Sequence, residues 1–282
     1  MTTPKHIWQT WKSKDTNNIP KKLYEYTKKW KTLHPDYEYT LLDDDDLRQI
    51  VSEVAPEHLE KYDSFTRMIE RVDFARYALL YRSGGIYADL DTYPLKSIDV
   101  WVSKNKIVVG CEPKEHAKEI YNRDRVICNA LMISPPRQQV WLELMNYIAK
   151  NYESRYRPVD NTGPMAMTRF LEANSKFNDN IIITDPCIFY PLLSNGNISK
   201  DCDLEKSYVA HLWQNTWVVP FYKDPMLLNK RGLCVALGFL FVACGFGYLI
   251  WRSKCYQAIL IGLIFIIVGV IYIFKNKSQW VL

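Results

Sequence analysis

Apolar residues recur with two different periods along the first 220 residues, and segments of the two kinds alternate. Short runs rich in β-branched and aromatic residues indicate strands, whereas apolar residues three or four positions apart indicate amphipathic helices. Alternation of the two kinds of element favours an α/β layer fold. The pattern predicts strands at 5–11, 37–42, 86–91, 106–112, 126–134 and 180–185, and helices at 21–33, 67–83, 138–152 and 161–175.

The segment "RSGGIYADLD", residues 82–91, joins the clearest of these helices to the next strand. Its two glycines end the helix, and the residues after them alternate between two faces if they form a strand. One face would then be apolar and carry Ile86, Ala88 and Leu90, while the other would carry Tyr87, Asp89 and Asp91. We therefore expect the two carboxylates to point the same way.

Two carboxylates on one face repel each other unless a positive charge lies between them. Mg²⁺ and Mn²⁺ are commonly held by one or two carboxylates together with the phosphates of a substrate. A strand end whose aspartates cap a turn is the alternative interpretation of a bare D-x-D sequence. The acidic run at 43–46 is different, because it precedes an apolar-periodic segment and so indicates a helix N-terminus.

Composition limits the classes of function. A net charge of +5 over 282 residues is too small to indicate a nucleic-acid-binding surface. The seven cysteines include no C-x-x-C pair, and no Cys/His cluster has zinc spacing. Nothing in their arrangement demands a disulfide framework, so a reducing compartment is acceptable. Residues 1–12 lack the apolar core of a signal peptide, and none is expected there.

Two uncharged apolar runs follow residue 232, at 233–251 and 256–274. As helices, both are long enough to cross a hydrocarbon core of about 30 Å. The sequence therefore predicts a globular domain at 1–225 and a membrane anchor at 226–282, built as a two-helix transmembrane hairpin. The basic residues that flank the hairpin slightly favour a cytosolic position of both termini and of the domain, and a lumenal position stays open.

Three segments resemble a known enzyme family: "PKHIWQTW" at 4–11, "VDFARYALLYRSGGIYADLD" at 72–91 and "NTGP" at 161–164. Over residues 3 to about 220 the chain resembles the DXD-containing glycosyltransferases of family 32. That family includes fungal initiating α-1,6-mannosyltransferases and inositol-phosphorylceramide mannosyltransferases. The resemblance implies a GT-A fold, a Rossmann-like α/β domain with a mixed sheet. It also implies retaining transfer of a sugar from a nucleotide sugar, with Mn²⁺ or Mg²⁺ as cofactor.

The resemblance also implies roles for particular residues. Asp89 and Asp91 would bind the metal and the diphosphate, beside a donor-site tyrosine, Tyr87. Asp73 and Arg76 would hold the donor sugar and its phosphate. The alternative for this last pair is an ion pair on the helix surface, since residues three positions apart share a face.

Further candidates surround the donor site. Trp11 would stack on the nucleotide base, and the sequence departs from the family pattern at Trp8, where many relatives carry histidine. His211 is a candidate third metal ligand, with a structural histidine as the alternative. Asn129 and the Gly163–Pro164 pair are candidates for the donor or acceptor site. Trp213 and Trp217 are candidates to close over the donor, with packing at the membrane edge as the alternative.

These observations predict a membrane-anchored, metal-dependent retaining glycosyltransferase of an endomembrane. GDP-mannose or a UDP-hexose is the expected donor, with mannose favoured. A lipid or glycan is the expected acceptor, with an inositol-phosphoceramide-type glycolipid favoured by the membrane anchor, and the two membrane helices offer a docking surface for a partner subunit. A non-catalytic nucleotide-sugar-binding scaffold is the alternative. A phosphoryl-transfer enzyme is disfavoured because G-x-x-x-x-G-K-[ST] is absent.

Overall fold

The computed structural model describes residues 1–214, which form one unit by their internal contacts. The strands are β1 (His6–Thr10), β2 (Glu38–Leu42), β3 (Gly85–Ala88), β4 (Thr92–Pro94), β5 (Ile107–Cys111), β6 (Ile127–Ser134), β7 (Ile181–Thr184) and β8 (Val209–His211). The α-helices are α1 (Lys21–Leu33), α2 (Asp44–Val54), α3 (Leu59–Asp63), α4 (Met68–Ser83), α5 (Asp99–Val102), α6 (Lys114–Tyr121), α7 (Gln139–Asn151), α8 (Pro158–Asn161), α9 (Pro164–Ala173) and α10 (Pro186–Phe189).

Several predictions fall outside the described residues. These are the domain boundary at 225, the two apolar runs and Trp217. Among residues 1–214, no helix has both the length and the apolar character needed to cross a membrane.

Six strands form one mixed sheet in the order β2-β1-β3-β6-β5-β7. β6 is antiparallel to both its neighbours, whereas the remaining pairs of this sheet are parallel. One hydrophobic core joins the sheet to α2, α4, α7 and α9, and a second core on the other face includes residues of α1, α5 and α10. Helices therefore cover both faces, and the predicted α/β class with a mixed sheet is confirmed.

The acidic run at 43–46 forms the N-terminus of α2, as predicted. The Asp43 side chain accepts the backbone N–H of Asp46, and the Asp46 side chain accepts the backbone N–H of Asp43, both at 3.1 Å. This reciprocal capping satisfies two backbone donors that the helix leaves unpaired. Lys14 pairs with Asp46 at 2.7 Å, so a lysine already compensates part of the negative charge.

Two glycines connect α4 to β3 without an intervening loop. Gly84 and Gly85 have φ values of 63° and 93°, a region that favours glycine. A Cβ atom on Gly84 would lie 2.6 Å from the backbone nitrogen of Pro136, and one on Gly85 would lie 2.7 Å from the His6 carbonyl oxygen. Both the backbone conformation and the close packing therefore require glycine here.

The prediction of a strand over 86–91 is wrong in its second half. β3 ends at Ala88, and residues 89–91 form a turn before β4. The turn is stabilised by Thr92, whose backbone N–H and hydroxyl both donate to the Asp89 carbonyl, at 3.0 and 2.6 Å. The two aspartates are therefore presented by a turn and not by strand alternation.

A second, two-stranded sheet places His211 beside this turn. β4 pairs with β8 in antiparallel orientation, and Thr92 is opposite His211 in the register. The pairing extends past β8, where the Leu212 N–H donates to the Asp91 carbonyl at 2.9 Å. A histidine 120 positions after Asp91 is brought next to it in this way.

Cys187 and Cys202 form a disulfide that the sequence analysis did not predict. Neither cysteine belongs to a recognisable spacing motif, so only the fold brings them together. The bridge weighs against the reducing compartment that the cysteine content had left acceptable, because disulfides persist mainly in oxidising compartments. In the described part of the chain, Cys111 and Cys128 are free and buried.

Replacement of both disulfide cysteines by serine is expected to lower the free energy of unfolding by about 3 kcal/mol, because the bridge restricts the unfolded chain. Denaturant unfolding of the wild type with and without reductant, and of the double variant, measures this difference. Reductant should destabilise the wild type and leave the double variant unchanged. Equal unfolding free energies in all of these samples would contradict the prediction.

Candidate active site

The candidate residues collect at one edge of the large sheet. The C-terminal ends of β1, β3 and β5 lie there, together with the start of the antiparallel β6. Trp11 follows β1, Asp89 follows β3, Glu112 follows β5, and Asn129 is the third residue of β6. Ligands of open α/β sheets usually bind outside the carboxyl ends of the strands. The topology therefore places these side chains where a nucleotide ligand is expected.

Asp89, Asp91 and His211 are brought together at this edge. One potential ligand atom of each residue lies within 4.8 Å of the other two, and no other group of three or more such residues meets this criterion in residues 1–214. Two carboxylates and an imidazole are a suitable donor set for Mn²⁺, and the carboxylates also suit Mg²⁺. The residues present thus fit the cation that the resemblance implies, and metal binding by them stays a prediction.

Asp91 has contacts at both of its carboxylate oxygens. Oδ1 lies 3.0 Å from His211 Nε2, and Oδ2 accepts the backbone N–H of Gln214 at 2.8 Å. Burial acts to raise the pKa of Asp91, but the His211 charge and the hydrogen bonds outweigh it and lower this pKa. Burial acts to lower the pKa of His211, but the Asp91 charge outweighs it and raises this pKa. The two residues therefore form an ion pair, whose imidazole proton must leave before Nε2 can bind a cation.

Asp89 has one engaged and one available oxygen. Its Oδ1 accepts the Tyr87 hydroxyl at 2.7 Å and lies 3.3 Å from Arg76 Nη2. Among the described residues, no donor lies within hydrogen-bond distance of its Oδ2. Burial raises the pKa of Asp89, and the Arg76 charge opposes that effect. Oδ2 is thus a carboxylate oxygen that a cation can use without breaking the contacts of Oδ1.

Arg76 is buried next to the carboxylates of Asp73 and Asp89, with 2% of its surface exposed. Its Nη1 donates to the Asn129 carbonyl at 2.9 Å, and its Nη2 lies 3.3 Å from both Asp73 and Asp89. The guanidinium carbon also lies 4.5 Å from the centroid of the Tyr87 ring. The Arg76 guanidinium is therefore fixed in position: its nitrogens contact Asn129 and the two carboxylates, and its face lies over the Tyr87 ring.

The interpretation of Asp73 and Arg76 as a helix-surface ion pair is wrong, because both side chains are buried. Asp73 accepts hydrogen bonds from Asn129 Nδ2 and from the Thr162 hydroxyl, each at 2.9 Å. A Cβ atom on Gly163 would lie 3.2 Å from Asp73 Oδ2, so the glycine makes room for the carboxylate. Burial raises the pKa of Asp73 to about 6, against the opposing effects of Arg76 and these hydrogen bonds.

Tyr77 and Thr162 also belong to this network, although no sequence pattern predicted them as site residues. The Tyr77 hydroxyl donates to the Thr162 carbonyl at 2.8 Å and accepts Asn129 Nδ2 at 2.9 Å. Tyr77 directly follows Arg76, and Thr162 lies in the segment "NTGP" at 161–164, so both lie within segments that resemble the family. Their contact joins residues 85 positions apart, which no local pattern reveals.

The two tryptophans of the first segment lie in different places. Trp11 is partly exposed beyond the end of β1, where its indole N–H donates to the Asn18 carbonyl at 3.1 Å. Its stacking on a nucleotide base stays a prediction. Trp8 donates to the Gly84 carbonyl at 2.9 Å, at the start of β3. The departure from the family pattern at Trp8 therefore concerns the end of β3 remote from Asp89.

Glu112 is a further buried carboxyl group at this edge, with 3% of the residue exposed. Burial raises its pKa from the ordinary 4.5 to about 8. Its Oε2 lies 3.8 Å from His116 Nδ1, which is beyond hydrogen-bond distance. Glu112 follows a run of mostly apolar residues and belongs to no motif, so the sequence did not indicate it as a site residue.

The Glu112→Gln variant is expected to flatten the pH dependence of stability. The raised pKa means that the folded state keeps a proton that the unfolded state has lost between pH 4.5 and about 8. The stability of the wild type should therefore fall as pH rises through this window, with a contribution from Glu112 of up to about 1.4 kcal/mol per pH unit. Denaturant unfolding of both proteins at several pH values separates the contribution of Glu112 from that of Asp73. The raised pKa of Asp73 also makes the stability fall as pH rises. Identical slopes would contradict the prediction.

Part of the chain that contains this site is similar to known glycosyltransferases. Residues 20–108 match the model of the glycosyltransferase sugar-binding region containing DXD motif. The chain is 46% identical over 96 residues to inositol phosphoceramide mannosyltransferase 3 of Schizosaccharomyces pombe, which covers 34% of this chain and 26% of that protein. It is 35% identical over 111 residues to the initiation-specific alpha-1,6-mannosyltransferase of Candida albicans, which covers 38% of this chain and 29% of that protein.

The chain thus aligns with less than a third of the length of these two curated relatives. Among solved structures, the PaToxG glycosyltransferase is similar with a TM-score of 0.45 and 16% identity, over 63% of this chain and 72% of that one. The matched region, residues 20–108, includes the turn with Asp89 and Asp91. The predicted resemblance is therefore confirmed: residues 20–108 are similar to the glycosyltransferase sugar-binding region containing the DXD motif.

Proposed function

We propose that the protein is a metal-dependent retaining glycosyltransferase that transfers a hexose, with mannose favoured, from a nucleotide sugar to a lipid or glycan acceptor. The observation that carries this proposal is the meeting of Asp89, Asp91 and His211 at the carboxyl edge of a sheet whose strand β3 lies in a DXD-type sugar-binding region. A GT-A fold is the corresponding assignment for the α/β domain, and the mixed sheet supports it.

A divalent cation at these three residues would act as a Lewis acid for the departing nucleoside diphosphate. Arg76 offers a second positive charge, and its contacts with Asn129 and Tyr87 keep it in one position. A preorganised charge of this kind stabilises phosphate oxygens without having to move during the reaction. Asp73 offers a carboxylate fixed by Thr162 and suited to accept hydrogen bonds from hydroxyl groups of the donor sugar.

Mannose is favoured because the two curated relatives described above are named mannosyltransferases. One of those names specifies inositol phosphoceramide as acceptor, and the other specifies initiation of an α-1,6-linked product. The two predicted membrane helices support a lipid acceptor for this chain, since an anchored domain works close to the bilayer. The same helices would allow a partner subunit to dock within the membrane.

We propose that the domain faces the lumen of an endomembrane compartment. The Cys187–Cys202 disulfide supports an oxidising environment, which the lumen provides and the cytosol does not. It weighs against the cytosolic position that the flanking basic residues slightly favoured. Protease protection of intact microsomes, with an epitope tag at residue 1, tests the orientation. Digestion of the tagged domain without detergent would contradict the proposal.

Release of nucleoside diphosphate by the detergent-purified chain tests the activity. A panel of GDP- and UDP-sugars is assayed with Mn²⁺ or with EDTA, and with inositol phosphoceramide or an α-mannoside as acceptor. We expect metal-dependent release from GDP-mannose, faster with one acceptor. Metal-dependent binding of a nucleotide sugar without release, even with acceptors present, would favour the scaffold alternative. Neither binding nor release across the panel would contradict both interpretations.

A further inference from the structure

Two buried imidazole nitrogens without a hydrogen-bond partner in the described part of the chain lie beside the candidate metal site, close to a buried carboxyl group. Nδ1 of His116 and Nδ1 of His211 are both buried and unpaired. The buried carboxyl group is that of Glu112, whose Oε2 lies 3.8 Å from His116 Nδ1. Buried groups of this kind are normally paired with protein or with ordered water, so their coincidence in one place requires an explanation.

The surrounding contacts show that the three groups belong to one region. The Trp213 indole contacts both imidazoles, with ring centroids 4.6 Å from His116 and 4.2 Å from His211. His116 is oriented from its other side, because its Nε2 accepts the backbone N–H of Ser194 at 3.0 Å. Its Nδ1 is thereby left facing the interior.

Trp213 is itself held in an uncommon backbone conformation, with a φ of 49°. Its indole N–H donates to the Leu192 carbonyl at 2.7 Å, within the loop that the Cys187–Cys202 disulfide closes. A non-glycine residue with such a φ persists only where its surroundings hold it. The arrangement around His211 is therefore built by several elements and does not depend on one flexible loop.

We propose that Glu112 is a positioning residue for His211: it accepts the Nδ1–H of the His211 imidazole through one bound water while Nε2 faces the cation. This inference rests on the proposed function, because it takes Asp89, Asp91 and His211 as the metal site. The water is required because Glu112 and His211 are not within hydrogen-bond distance of each other in the structure. His116 Nδ1 supplies the third partner that a buried water commonly has.

The chemical reason is the tautomer of the imidazole. A histidine that binds a cation through Nε2 must carry its proton on Nδ1, and an acceptor at that proton fixes both the tautomer and the ring orientation. Without the acceptor, a buried N–H is left unpaired whenever the cation binds. Loss of such a partner typically weakens metal binding by about 10- to 100-fold.

Binding of Mn²⁺ to the full chain in detergent, in the presence of GDP, is the first test. Free Mn²⁺ is measured by electron paramagnetic resonance. The Glu112→Ala variant is expected to bind Mn²⁺ about 10- to 100-fold more weakly than the wild type, and Glu112→Gln less so because its amide oxygen still accepts a hydrogen bond. The matched control is Glu143→Gln, since Glu143 on α7 pairs with Lys176 at 2.6 Å and should leave the affinity unchanged.

The outcomes separate this inference from the proposed function. If the wild type and Glu112→Ala bind Mn²⁺ equally, while Asp91→Asn does not bind it, the role of Glu112 is overturned and the metal site stands. If the wild type does not bind Mn²⁺, the metal site and the inference both fail.

A measurement on the wild type guards against misfolding of the alanine variant. Long-range ¹H–¹⁵N spectra of the chain bound to GDP and to Zn²⁺, a diamagnetic ion that binds imidazole, should show His211 protonated at Nδ1 only. Protonation at Nε2 in that complex would overturn the inference.

Discussion

Replacement of Asp91 by asparagine is expected to reduce metal-dependent sugar transfer by about 10³-fold, which corresponds to roughly 4 kcal/mol of lost transition-state stabilisation. Asparagine has nearly the same shape and can still accept the backbone N–H of Gln214, which the wild-type Oδ2 does at 2.8 Å. The turn should therefore be retained while the negative charge that would hold the cation is lost. Nucleoside diphosphate release from the preferred donor, titrated with Mn²⁺, measures the effect.

The matched control is Asp45→Asn, the same change at an exposed position in the acidic start of α2. That helix is capped by Asp43, so removal of the neighbouring charge should alter activity by less than about 2-fold, as for a surface position. A second readout is the ion pair with His211, whose raised pKa depends on the Asp91 charge. In Asp91→Asn this pKa should fall, which NMR titration of the metal-free protein can follow. Full activity of Asp91→Asn with an unchanged Mn²⁺ requirement would contradict the assignment.

Local patterns were sufficient for most of the secondary structure. The helix at 21–33 begins and ends where predicted, because a proline precedes it and its apolar residues keep a regular spacing. The acidic run was correctly read as a helix start, since aspartates cap a helix by bonding only their own neighbours. These features need information from a few consecutive residues, and that information is complete in the sequence.

The end of β3 shows what a local pattern leaves out. Residues 86–91 alternate as a strand does, yet the strand stops at Ala88. The deciding contacts come from Thr92, which bonds the Asp89 carbonyl, and from β8, which pairs with β4. The second contact joins segments more than a hundred residues apart, so periodicity cannot reveal it.

The site residues that belong to a sequence motif could be predicted, and those outside any motif could not. Asp73, Arg76, Asp89 and Asp91 lie in one continuous string, and the structure brings them into one network. Glu112 and the disulfide have no motif, because a single buried carboxyl group and two cysteines fifteen residues apart become meaningful only after the sheet is assembled. Burial of a polar group depends on the tertiary fold and cannot be predicted from the residues next to it in the sequence.

Replacement of Arg76 by methionine is expected to destabilise the protein by about 3–5 kcal/mol, because it leaves two carboxylates near each other without their buried cation. Arg76 lowers the pKa of both Asp73 and Asp89, against the effect of burial. Without it, these pKa values rise further, and the folded state should take up protons near neutral pH. The stability of the variant should therefore recover as pH falls, which denaturant unfolding at several pH values can detect.

The matched control lies on the same helix. Arg82 is also paired with an acid, Glu53 at 2.7 Å, but its side chain is 31% exposed. Because water already screens that pair, Arg82→Met should lower the unfolding free energy by no more than about 1 kcal/mol. Adding Asp73→Asn to Arg76→Met should restore part of the lost stability, since it removes one uncompensated charge. A cost for Arg76→Met no larger than that for Arg82→Met would show that Arg76 does not compensate the buried carboxylates.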